Sequence, residues 1–187
     1  ELDLKCEYTF TPNNGDVRVT YRNIDRVYFR VVKDDWSRFL DKRWSSPAIQ
    51  QIDWDNQQRL LSAPAVAEWS VPLTSTPEYK STSQEIEIPS QEPGFYRLLV
   101  SWKEDFSQNG NAVRIGSFWM TGITMVVRQR TGNLEGLVLN ANNGKPLPRA
   151  EITIYQQNEK GHYRRVATES TGVDGMFRVR HLNYRRS

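Results

Sequence analysis

Few residues in this chain are of the types that do covalent or metal chemistry, and those few are scattered. Cys6 is the sole cysteine among 187 residues. It can close no internal disulfide and cannot supply a cysteine metal cluster, so it reads as a small, half-buried strand residue. The two histidines, His162 and His181, have neither the spacing of a zinc helix nor a thiol partner. They read as solvated strand or loop residues, and no metal site is expected. Asp34-Asp35 and Asp53-Trp54-Asp55 bring carboxylates together as an acid–base couple or a calcium loop would, but neither has the spacing of a known loop. Surface solvation is the expected role of both. The nucleophile elbow G-x-S-x-G, the phosphate loop G-x-x-x-x-G-K-[ST] and the dinucleotide turn G-x-G-x-x-G are all missing from the sequence. The expectation is a chain with no catalytic residue and no cofactor, hence not an enzyme.

Binding chemistry has one candidate. Trp36, Trp44 and Trp54 cluster in a single irregular stretch. Exposed together, they would form an aromatic platform for a sugar ring or a protein partner; buried, they would anchor a loop to the core. Trp69, Trp102 and Trp119 fall in strand-like segments and are expected in the core. Lysine and arginine number 25 against 22 acids, and the cations alternate with acids instead of forming a stripe, which disfavours nucleic acid as a partner. No apolar run approaches the roughly 20 residues of a membrane-spanning helix. The opening Glu-Leu-Asp-Leu-Lys is too polar for a signal peptide. Trimmed export signals or an internal fragment of a longer protein are the two expectations. No Asn-x-Ser/Thr acceptor occurs, which leans toward a bacterial source.

The elements that must carry these residues are strands. Period-two alternation runs through Val17-Val19-Tyr21, Val27-Phe29-Val31, Glu85 to Ile88, Tyr96-Leu98-Val100-Trp102 and Ile123-Met125-Val127. Pro89 ends its strand because it lacks the N–H a ladder needs. Asn14-Gly15, Asn109-Gly110, Asn143-Gly144 and Asp174-Gly175 are Asx-Gly pairs, whose positive φ suits tight hairpins. The predicted fold is all-β, with two consecutive antiparallel β-sandwich modules of immunoglobulin/fibronectin-like type. Residues 1–130 form the first, with an irregular insertion around 34–61 in which Trp36, Phe39 and Leu40 are spaced for a helical turn and Ser46-Pro47 could cap a short helix. Residues 131–187 form the second. Its four expected strands are too few for a closed sandwich, so it reads as truncated.

Three segments of the second module, Gly136-Leu137-Val138, Asn143 to Ile152 and Thr171 to Phe177, together resemble the carboxypeptidase regulatory-like (transthyretin-like) sandwich, whose pattern is roughly G-x-V, then G-x-P-L-x-x-A-x-V, then D/N-G-x-F. The first module, through Tyr21 to Val31, Glu68 to Leu73 and Pro93 to Val100, is similar to the macroglobulin-type domains of bacterial alpha-2-macroglobulins, especially those of Bacteroidetes. In that family a regulatory-like unit can follow such a domain directly. The resemblance implies a secreted or cell-envelope protein, periplasmic or at the outer membrane or cell surface and tethered through other parts. It implies a scaffold role in trapping proteases, with neighbouring domains of a longer parent as partners and proteases met through the parent. The family's thioester needs Cys-x-x-Gln, and Cys6-Glu7-Tyr8-Thr9 lacks the glutamine; no covalent role carries over to Cys6. A glycan- or protein-binding adhesion module is the alternative, and outer-membrane nutrient receptors with regulatory-like units rank last, because they lack the upstream module.

Overall fold

In the computed structural model, residues 1–7, 9–12, 15–39, 52, 54–75, 80–130, 132–158 and 163–180 are described. The chain divides into two units, one of residues 1–36 and 46–121 and the other of residues 37–45 and 122–187.

Among its described residues the first unit has the strands β1 (Leu2–Lys5), β2 (Thr9–Phe10), β3 (Asp16–Tyr21), β4 (Arg26–Lys33), β5 (Ala67–Pro72), β6 (Thr82–Glu87), β7 (Gly94–Ser101) and β8 (Arg114–Met120). A 3-10 turn, Trp36–Phe39, follows β4, and helix α1, Trp54–Ser62, precedes β5. Two sheets result, one in the order β1-β3-β6 and a five-stranded one in the order β2-β8-β7-β4-β5. All pairs are antiparallel except the short β2 beside β8.

The alternation of β3 has the expected cause. Val17, Val19 and Tyr21 are buried, while Asp16 and Arg18 face solvent. On the outer face of that sheet Arg18 pairs with Glu85 at 2.7 Å and Thr20 with Ser83 at 2.8 Å, cross-strand contacts that fix the register of β3 on β6. Between the sheets, Val17, Val19, Tyr21 and Ile86 meet Val27, Phe29, Val31, Tyr96, Leu98, Val100 and Phe118. Each such side chain contributes roughly 1.5–3 kcal/mol by leaving water.

β7 departs from the half-buried pattern. Every residue from Phe95 to Ser101 is buried, because α1 and its flanks cover the second face of the sheet. There Leu60 of α1 packs with Val32, Leu99 and Phe106. The insertion expected around 34–61 therefore includes a helix. Its role is to give the five-stranded sheet a third layer. Leu40 and the Ser46-Pro47 cap lie outside the described residues.

The second unit contains β9 (Ile123–Arg130), β10 (Asn133–Asn140), β11 (Glu151–Gln157), β12 (Tyr163–Ser170) and β13 (Met176–Val179), in sheets β13-β10-β9 and β11-β12. Val138, Phe177 and Val179 form its buried core, with Leu134, Leu147, Ala150 and Ile152 against them. β9, expected as the last strand of the first module, is paired along its whole length with β10. Alternation defines the faces of a strand; it does not identify its hydrogen-bonding partner.

The motif glycines now have physical roles. Gly136 sits opposite Phe177 in the register, and a Cβ on it would lie 2.2 Å from the Phe177 ring, so the ring of the D-G-x-F segment fills the space that the G-x-V glycine leaves. Gly175 takes φ 73°, with the Val138 carbonyl 2.7 Å from where a Cβ would stand. Gly110 and Gly144 are also at positive φ; Gly15 is not. Thr171 is buried and stitches the neighbouring loop together: its hydroxyl donates to the Leu147 carbonyl at 2.5 Å and accepts from the Ala150 amide at 2.8 Å. Among the described residues, no helix is long and apolar enough to cross a membrane.

Candidate functional site

The register of the five-stranded sheet decides which side chains share its outer face. Phe95 stands opposite Trp119, Arg97 opposite Ser117, and Leu99 opposite Ile115. Along this face run an aromatic group, a charged group and an apolar group in turn.

The charged group is the most unusual chemistry in the first unit. Arg97 is only 1% exposed, in the middle of an apolar strand. Its Nε donates to Asp34 Oδ2 at 2.9 Å, and one of its terminal nitrogens donates to the Ser117 hydroxyl. Asp34 Oδ1 accepts from Arg59 Nη2 of α1 at 2.9 Å and from the Asp35 amide at 3.0 Å. The Arg97 guanidinium also lies 4.9 Å from the centre of the Phe95 ring. Burial pulls the pKa of Arg97 down, the hydrogen bond and charge of Asp34 hold it up, and the charge of Arg59 adds to the lowering. Both oxygens of Asp34 thus accept from an arginine, Oδ1 from Arg59 and Oδ2 from Arg97. The cluster ties the end of β4 to β7, β8 and α1, a structural task.

A second arginine does similar work in the same last turn of the helix. Arg30 pairs with Glu68 of β5 at 2.6 Å, donates to the Leu61 carbonyl in the last turn of α1 at 3.1 Å, and sits 4.5 Å from the centre of the Phe106 ring.

Of the three platform tryptophans, two are described. Trp36 is 36% exposed and tilts against Trp119 at 5.8 Å, which in turn tilts against Phe95 at 5.1 Å. Trp54 opens α1 and is 63% exposed. Trp44 lies outside the described residues, as do Asp53, His162, His181, Arg185 and Arg186. Trp69 and Trp102 pack partly buried against the main core, Trp69 stacked on Phe29 at 4.8 Å. Asp34 corrects its sequence expectation: it is buried between two arginines instead of solvated. The signal that could have found it was a lone arginine at the centre of Phe95 to Val100, which has to have a buried counter-charge somewhere.

Cys6 packs against the backbone of Gly116, and its thiol donates to the Glu7 carbonyl at 3.3 Å. Burial, assisted by the charge of Glu7, pushes its pKa up to about 12, so at neutral pH it is a thiol and a poor nucleophile. Among the described residues, no three of His, Cys, Asp and Glu gather to hold a metal.

Cavities on the surface of the first unit include two of moderate size. One, of about 350 Å³, is lined by Asn23, Ile24, Asp25, Arg26, Tyr28 and Trp102, among others. The other, of about 240 Å³, is lined by Arg30, Glu68, Trp69, Glu104 and Phe106, among others, with Arg30 and Glu68 already paired to each other. Neither offers an acid and a base converging on one point, so what they can do is bind.

No protein-family model and no curated protein matches the chain. Solved structures do. A fragment of native alpha-2-macroglobulin from Escherichia coli spanning domains NIE-MG1 aligns over 99% of this chain and 88% of its own length, at 14% identity and a TM-score of 0.62. A longer fragment of that protein, spanning MG0-NIE-MG1, aligns over 96% of this chain and 57% of its own, with 14% identity and a TM-score of 0.63. A Salmonella alpha-2-macroglobulin mutant, Y1175G, aligns over 97% of this chain but 10% of its own, at 14% identity and a TM-score of 0.54. The shared property is the fold, built of antiparallel β-sheets. The chain corresponds to about a tenth of that Salmonella chain.

Proposed function

We propose that this chain is a non-catalytic scaffold and interaction segment of a larger alpha-2-macroglobulin-like protein of the bacterial cell envelope, one that traps proteases. The supporting observation is the alignment that runs through both units at once, covering 99% of this chain against a two-domain macroglobulin fragment. A single shared sandwich would be a commonplace of all-β proteins; two in the same order are a stronger constraint. On this reading a macroglobulin-like sandwich lies within residues 1–130 and a carboxypeptidase regulatory-like one over residues 131–187, with the intervening strand β9 paired to the second. The chemistry of such a protein, a bait to be cut and in some members a thioester, would lie in the rest of the parent chain. The raised pKa of Cys6 accords with that division of labour. The partners would be neighbouring domains and, through the parent, proteases; the location would be the periplasm or the outer surface.

The test uses the parent protein with and without residues 1–187. Incubated with a broad-specificity protease, the intact parent should change mobility on a native gel and shield the protease from a macromolecular substrate while leaving it active on a small one. Deleting residues 1–187 should weaken the shielding. A parent that is cut without enclosing its protease would overturn the assignment.

The exposure of Trp54 supports a second reading, a glycan- or protein-adhesion surface formed by Trp36, Trp44 and Trp54. Tryptophan emission that shifts on adding polysaccharide, and no longer shifts in Trp54→Ala, would favour it. Unresponsive emission would count against it.

A further inference from the structure

Among the described residues β9 is an edge strand, and it lacks the usual protections. Its first five residues, Ile123-Thr124-Met125-Val126-Val127, carry no charge and no proline. Met125, Val126 and Val127 are 55%, 61% and 44% exposed. Three other edges are guarded: β5 carries Glu68 and ends at Pro72, β6 carries Glu85 and Glu87, and β13 is four residues long with Arg178 in it.

From Met125 to Gln129 the backbone of β9 also has one side that bonds to no described residue. The ladder to β10 pairs Ile123 with Asn140 and continues in register, and the Ala141 amide donates to the Gly122 carbonyl at 2.8 Å. In an antiparallel ladder, hydrogen-bonded pairs recur at every second residue. Thr124, Val126, Arg128 and Arg130 therefore bond to β10, while Met125, Val127 and Gln129 turn their N–H and C=O groups outward. β10 agrees, since the Val138 and Asn140 amides bond on its other side, to the Gly175 and Lys145 carbonyls.

Charge then says what kind of strand fits. Glu135 lies in register between Arg128 of β9 and Arg178 of β13, and its carboxylate is 2.7 Å from Arg178. The face thus holds one carboxylate, paired to Arg178, against three arginines, since Arg130 lies on the same face of β9 as Arg128. We propose that the outer edge of β9 is a docking site for an extended segment that adds to the sheet as an antiparallel strand. Such a segment carries carboxylates opposite Arg130 and Arg128 and apolar side chains opposite Val127 and Met125. The occupant is a partner strand with an acidic start and an apolar continuation. Backbone bonds at Met125, Val127 and Gln129 supply affinity, and the two arginines set register and direction. The inference rests on β9 alone and not on the macroglobulin assignment.

The experiment uses the full chain and a fluorescent peptide of sequence Glu-Thr-Glu-Val-Thr-Val-Thr as probe, read by anisotropy. The probe should bind, and a version with lysine in place of both glutamates should bind at least about tenfold more weakly. Val127→Pro removes an outward N–H without touching the ladder to β10, so it should abolish binding while the circular dichroism stays unchanged. Arg128→Glu combined with Arg130→Glu should reverse the preference toward the lysine peptide, and this pair keeps the proposal testable if the proline variant does not fold. Equal binding of both peptides, or undiminished binding to a folded Val127→Pro, would overturn the proposal. Sedimentation showing a dimer that Val127→Pro dissociates would assign the edge to a second copy of this chain and overturn it too.

Discussion

Asp34 is the residue on which the outer face of the first sheet depends most. Arg97 is buried, and its charge is tolerable because Asp34 accepts from it at 2.9 Å. Removing one partner of a buried pair leaves the other charge uncompensated, at a cost of about 3–5 kcal/mol. Asp34→Ala should therefore lower the urea midpoint severely. Arg18→Ala breaks an equally short pair with Glu85, but both of those side chains are more than half exposed, and the loss should be about 1 kcal/mol or less. Equal midpoints for the two variants would show that Arg97 finds another partner. Cys6 gives a pH prediction with a definite sign. Its folded pKa of about 12 lies above the value near 8.5 of a free thiol, so the folded state favours the protonated form. Its contribution to stability is complete below about pH 8.5 and is lost as pH rises toward 12. At pH 8 a thiol-disulfide reagent should label Cys6 far more slowly in the native chain than in urea, and comparable rates would mean that the thiol is open to solvent.

At the scale of elements, the strands were legible because one buried face imposes a period of two, as in Val17-Val19-Tyr21. Two features were not legible, for different reasons. Helix α1 was hidden because it is short and predominantly polar, with Leu60 its one fully buried residue, so its apolar face is only a few side chains wide. The pairing of β9 with β10 was hidden because alternation carries no information about the neighbouring strand. The helix is held by its contacts more than by propensity: Leu60 in the apolar group, Arg59 on Asp34, and Arg30 on the Leu61 carbonyl. Leu60→Ala should cost about 2–5 kcal/mol and uncover the outer face of β7. Hydrogen exchange should report this as faster exchange along α1, with β3 and β6 unchanged. Of the candidate platform, the residue types were legible but their exposure was not, since Trp36 leans on Trp119 while Trp54 projects from the start of α1.

For the whole molecule the informative fact is that, among the described residues, the buried cores share no residue. One pair of clusters draws on β1 to β8 and α1, and the other centres on Val138, Phe177 and Val179. The two are also unequal. The first spreads its apolar contacts over both faces of a five-stranded sheet, whereas the second concentrates them in a few side chains, with Phe177 seated over Gly136. A core so small has little to redistribute when its largest member is lost. Phe177→Ala should cost about 3–5 kcal/mol, near the full stability of a domain of that size. Because that loss falls on contacts among β10, β11, β12 and β13, amide exchange should rise throughout those strands. Val17, Phe29 and Leu98 should stay protected, since none of their buried neighbours changes. Exchange rising uniformly across the chain would mean that the two units unfold as one, and would remove the physical basis for treating them as separate modules.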